Sequence, residues 1–63
     1  MSSYVIRFKY RQFFWNGQNF GTTDRMEFSK LSDATSYAKR VVEPLHPGQW
    51  VVETILENLD GGA

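Results

Sequence analysis

From Tyr4 to Arg11 the chain alternates without a break: Tyr4, Ile6, Phe8 and Tyr10 fall on one side, and Val5, Arg7, Lys9 and Arg11 on the other. Successive side chains of an extended backbone point to opposite faces, so this period of two predicts a strand with one buried face. The aromatic side is the expected core face and the basic side the expected outer face. In a chain of 63 residues, such a strand leaves room for a small sheet and one helix to cover it. A domain of this size buries only about 60% of the surface its unfolded chain exposes, which makes its stability marginal. The chain has no cysteine to compensate, so a disulfide framework and thiolate metal sites are excluded. The core must come from the aromatic residues, 16% of the chain, each able to bury about 150–250 Å².

After Arg11 the pattern admits two readings. In one, the chain turns tightly near Arg11-Gln12 and returns through Phe13-Phe14-Trp15. In the other, the first strand continues to about Phe14 and turns at Asn16-Gly17, a dipeptide that favours the type I′ hairpin. The second reading runs the next strand from about Phe20 to Phe28, with Phe20, Thr22, Met26 and Phe28 on one face; the expected second strand lies within Phe13–Thr23. Ser29 to Val42 then reads as a helix, with Leu31, Ala34, Ala38, Val41, Val42 and Leu45 forming one apolar stripe. Ser29 is the expected N-cap and Phe28 a staple onto the helix. Asp33 near the start and Lys39 and Arg40 near the end suit the helix dipole. Pro44 and Pro47-Gly48 end the helix and open a turn. Gln49 to Glu57 is the last strand, with Trp50, Val52, Thr54 and Leu56 on one face and Val51, Glu53, Ile55 and Glu57 on the other.

The expected fold is a single α+β domain over residues 1–57 with the order β-β-α-β, followed by a flexible tail, residues 58–63. A right-handed crossover from the second strand to the third passes over the first. The sheet is then three-stranded and antiparallel in the order 2-1-3, with the helix on one face. Arg7, Lys9 and Arg11 share the uncovered face with Glu53 and Glu57, and cross-strand pairs of opposite charge contribute roughly 0.2–1 kcal/mol each. The basic stripe therefore has a structural explanation as well as a functional one.

Catalysis finds little support. His46 is the only histidine. Set between Leu45 and Pro47, it reads as an exposed loop residue without a nucleophile or a second metal ligand at a recognisable spacing. Glu53 and Glu57 lie on an open sheet face, not in a cleft that would shift their pKa values for acid–base work. Gly17 and Gly21 read as turn residues, because no Gly-Lys-Ser/Thr follows them. No enzyme activity, metal or cofactor is expected. Seven basic residues balance seven acidic ones, which disfavours strong non-specific binding to nucleic acid or anionic membrane. No apolar run has the length of a membrane span, and the cytoplasm is the expected compartment.

Binding is the remaining class. Phe13, Phe14 and Trp15 are consecutive, so a strand cannot turn all three inward. Aromatics and arginine are enriched at interface hot spots. Arg7, Lys9, Arg11, Phe14 and Trp15 are thus the expected partner-binding residues, with the cations meeting acidic groups of a host protein or complex and Trp15 acting as an apolar anchor. The same set would serve a nucleic-acid binder, with phosphates on the cations and bases stacked on Phe13 or Trp15. A third option is a homodimeric accessory protein.

The segments YVIRFKY, FFWNG, EFSKLSDATSYAKRVV and QWVVETILE together resemble a class of very short phage and prophage β-β-α-β proteins. In that class an opening strand leads to a helix entered through an F-S-x-x-x-x-A-like segment, and a valine-rich strand closes the fold. The T7 phage inhibitor of host RNA polymerase and small anti-CRISPR proteins are of this kind. The resemblance spans Tyr4 to Glu57 and transfers no functional residue. It implies a mobile-element protein, cytoplasmic in a bacterial host, that occludes a larger partner.

Overall fold

A computed structural model describes residues 2–56. Strand β1 spans Ser2–Phe8, β2 Phe14–Trp15 and β3 Phe20–Gly21; helix α1 spans Leu31–Tyr37 and runs on as a π-helical segment, Ala38–Val42; strand β4 spans Trp50–Leu56. The fold is α+β with one helical rod on an antiparallel sheet. The sheet has four strands in the order β3-β2-β1-β4, not three. The two readings of the aromatic stretch turn out to be two successive turns. β1 stops at Phe8, the chain folds over residues 9–13, and the Phe8 amide donates to the Phe13 carbonyl at 2.7 Å. β2 then turns again after Trp15, and Trp15 pairs with Phe20 across a four-residue loop instead of a two-residue type I′ turn.

Asn16 organises that loop. Its Oδ1 accepts from the amides of Gln18 and Asn19 at 2.9 and 3.0 Å, a side-chain mimic of a backbone turn. Gly17 sits at φ 109°, where an L side chain is strained. Gly21, read as a turn residue, belongs to β3 and pairs with Phe14.

β1 is central, as the crossover argument requires, and β4 runs antiparallel to it in unbroken register from Ser2↔Leu56 to Phe8↔Trp50. On its other side β1 is flanked by β2 and, nearer its start, by Phe28, which exchanges two 2.8 Å backbone bonds with Tyr4. This bridge holds Phe28 extended and delays the helix. The N-cap is Lys30, at φ −130° and ψ 140° and without a side-chain cap bond, where Ser29 was expected.

Ala34, Ala38 and Val42 are the buried helical positions. Residues four apart drift around an α-helix of 3.6 residues per turn. The wider π turn, closed by the Glu43 amide on the Ala38 carbonyl at 2.8 Å, reverses that drift and keeps all three on the sheet. Leu31 and Leu45, assigned to the same stripe, are exposed instead, one at the first helical residue and the other beyond the last. The core joins Ile6, Trp15, Ala38 and Val42, with Phe20, Met26, Phe28, Tyr37, Val41 and Trp50 packed around them. Glu57 and the tail expected over residues 58–63 lie outside the described residues.

Candidate functional site

The sheet face away from the helix is less open than its sequence pattern implies. Val5 lies on that face, opposite Glu53, yet is fully buried. Around it the charges pair. Arg7 Nε donates to Glu53 Oε1 at 3.0 Å, Arg25 Nε donates to Glu27 Oε2 at 3.0 Å, and Ser3 Oγ donates to Glu27 Oε1 at 3.3 Å. Phe14 pairs with Arg7 in the strand register, and the Arg25 guanidinium stands 5.5 Å from its ring centroid. Arg25 and Glu27 reach this face because Met26 and Phe28, which alternate with them, pack into the core. The face thus carries a buried valine and two ion pairs formed within the chain.

The expected site residues separate accordingly. Arg7 is a structural residue: besides Glu53, its Nη1 donates to the carbonyls of Phe8 at 3.1 Å and Arg11 at 3.4 Å, tying the turn back to the sheet. Phe14 is half-buried beneath Arg25. Trp15 does not serve as a surface anchor. It is 1% exposed, its ring meets Phe20 edge-on at 5.3 Å, and its Nε1 donates to Tyr37 Oη at 3.2 Å. Lys9 and Arg11 leave the stripe, because β1 has ended before them. They lie exposed in the turn with Tyr10 between them.

Tyr10 is the residue that alternation misassigns. Placed on the core face by its period, it is 65% exposed. Its ring stands edge-on to Phe8 at 5.5 Å, and Lys9 Nζ lies 5.9 Å from its centroid. Neither Lys9 nor Arg11 is ion-paired among the described residues. The turn is anchored at both ends, by the Phe8–Phe13 bond and by the Lys9 amide donating to the Gln49 carbonyl at 2.8 Å. Even the tight-turn reading at Arg11-Gln12 would keep Tyr10 in the strand opposite Phe13; the structure closes the turn two residues earlier, at Phe8.

The loop before β4 completes this end of the sheet. Glu43 Oε1 accepts from Trp50 Nε1 at 2.6 Å and from the Gly48 amide at 3.2 Å, and Gly48 adopts φ 67°, a conformation suited to glycine. His46 is half-buried, not an exposed loop residue. It stands edge-on to Phe20 at 5.1 Å and to Trp15 at 6.0 Å. Hydrogen bonds to a charged group contribute about 1.5–3 kcal/mol, so Glu43→Ala is expected to lower stability by about that amount, read as a lower urea midpoint at unchanged slope.

Among the described residues no group of three histidine or acidic side chains could hold a metal ion, and no helix is long and apolar enough to cross a membrane. An open groove beside the helix, lined by Phe28, Asp33, Ser36, Tyr37, Arg40 and Val41, includes no histidine. The chain matches no protein-family model, no curated protein and no solved structure.

Proposed function

We propose that this is a non-enzymatic binding protein that docks onto a larger protein or complex in the cytoplasm of a bacterial host and inhibits or redirects it by occlusion. The observation that carries this reading is the pinned turn at the end of the sheet, which presents an exposed tyrosine between two cations that are unpaired among the described residues. Tyrosine and arginine dominate interface hot spots, where one side chain can contribute 2 kcal/mol or more. Holding the turn by backbone hydrogen bonds before binding reduces the ordering cost of association. The resemblance to short phage proteins that act by occlusion supports the same reading. Within the original set, Lys9 and Arg11 remain the contact residues. Tyr10 replaces Trp15 as the anchor, Arg7 supports the turn through its bond to the Arg11 carbonyl, and Phe14 leaves the contact set.

Tagged protein captured from bacterial lysate, with and without nuclease, tests the proposal when wild type is run beside Tyr10→Ala and the Lys9→Ala/Arg11→Ala double variant. The expected result is a stoichiometric protein partner that survives nuclease and is depleted about ten-fold or more in both variants, with circular dichroism unchanged. Recovery of nucleic acid alone would reassign the turn to phosphate and base contacts, whose affinity falls steeply with salt. Equal recovery by all three proteins would remove the turn from the interface.

A further inference from the structure

The two edges of the sheet are built differently. β3, at one edge, is two residues long, and short edge strands resist further pairing. β4, at the other, is seven residues long, WVVETIL, and pairs with β1 without a bulge. It contains no proline and no lysine, the residues with which natural edges are usually blunted. The direction of its backbone groups follows from one contact. The Gln49 carbonyl accepts from Lys9, so the odd-numbered residues of β4 address β1 and the even-numbered ones address the outside. The N–H and C=O groups of Trp50, Val52 and Thr54 therefore line a free edge, and no described residue hydrogen-bonds to them.

We propose that this edge pairs with the same edge of a second copy, antiparallel about a two-fold axis at Val52, to give one continuous eight-stranded sheet. Two-fold pairing of identical strands places one residue opposite itself, and the side chains select which. An axis at Glu53 sets Glu53 against its own copy, and like charges directly opposite are destabilising. An axis at Val52 sets Val52 against Val52 and Trp50 against Thr54 on the helix side, and Val51 against Glu53 on the other. Glu53 is already neutralised by Arg7 of its own chain. In this register Val52 exchanges both edge hydrogen bonds with its copy, and Trp50 exchanges both with Thr54 of the second copy. An axis at Val51 shortens the overlap further: it leaves the outward groups of both Thr54 and Leu56 beyond β4 of the second copy, where the axis at Val52 leaves only those of Leu56. The formal net charge of zero adds no long-range repulsion between copies. This edge is separate from the Lys9–Gln12 turn, so the dimer and the proposed function fail independently.

The test uses the full chain and three substitutions. Sedimentation equilibrium from micromolar to millimolar protein is expected to show wild type approaching twice the single-chain mass. Thr54→Pro removes only an outward-facing N–H, and a proline is tolerated on an edge strand when its nitrogen faces away from the sheet. It is expected to keep the mass of one chain throughout, while Thr54→Ala dimerises like wild type. Because the chain lacks cysteine, crosslinking reports the register independently of how the proline variant folds. In a hydrogen-bonded pair the Cα atoms are about 5.5 Å apart, within the range of a disulfide. Val52→Cys is therefore expected to oxidise to a covalent dimer. Thr54→Cys, displaced from its copy by four residues or about 13 Å, is expected to stay reduced. A single-chain mass at every concentration, a dimer that survives in folded Thr54→Pro, or faster crosslinking at position 54 than at 52 would overturn the proposal.

Discussion

Trp15→Ala is expected to leave the chain without a cooperative unfolding transition at 37 °C. Trp15 is the largest fully buried side chain. It joins β2 to β3 through Phe20, to the helix through Tyr37 Oη, and to the loop before β4 through His46. Truncating a buried tryptophan or phenylalanine to alanine costs about 3–5 kcal/mol. A domain of this length has roughly 3–9 kcal/mol in total, at about 0.05–0.15 kcal/mol per residue, so one substitution removes from about a third to all of it, and all of it at the marginal end expected for so small a core. Far-UV circular dichroism during urea titration reads the loss, with Trp50 fluorescence as a second probe. Trp15→Phe retains most of the apolar contact and gives up the bond to Tyr37, so its midpoint should fall between those of wild type and the alanine variant. A wild-type midpoint for Trp15→Ala would refute the core assignment and restore Trp15 as a surface candidate.

The second large effect lies on β1, where adjacent residues are buried on opposite faces of the sheet. Ile6 is in the helix-side core, and Val5 is on the face that carries the ion pairs; both are 0% exposed. Ile6→Ala is expected to cost about 2–5 kcal/mol, and Val5→Ala about 1.5–3 kcal/mol from lost apolar burial. Alternation alone predicts a large effect at Ile6 and a surface-like change at Val5, within about 0.5 kcal/mol. Thr54→Ala, at an exposed position of the neighbouring strand, is the surface reference. Chemical denaturation of the three variants separates the two descriptions. If Val5→Ala behaves like Thr54→Ala, the face is open at Val5.

The parts of the fold that were legible in the sequence depend on periodicity and local backbone chemistry. Strict alternation marked β1 and β4 and put Ile6 and Trp50 on the core side. The spacing of Ala34, Ala38 and Val42 marked the helix face. Proline and glycine placed the turn before β4, and the asparagine-glycine pair marked a reversal at Asn16, though as a two-residue turn ending the first strand where the structure has a four-residue loop between β2 and β3. Alternation failed where a strand ended: nothing in the period itself distinguishes Tyr10, two residues beyond the end of β1, from Phe8 within it. The N-cap failed for a similar reason, because the bridge between Tyr4 and Phe28 is a contact between residues far apart in sequence.

The candidate site was less legible than the fold. Five residues were assigned to it, and the structure leaves only Lys9 and Arg11 exposed. What local sequence determined by itself was which segments extend, which coil and where the chain reverses, since φ/ψ preferences and the period of apolar side chains act within a few residues. The tertiary structure alone decided which of three consecutive aromatics enters the core, that Arg25 and Glu27 pair with each other and Glu27 with Ser3 of β1, and that Tyr10 faces solvent. Those outcomes depend on which distant segments come to lie beside β1, and on burial and charge pairing across the sheet, which no local pattern encodes.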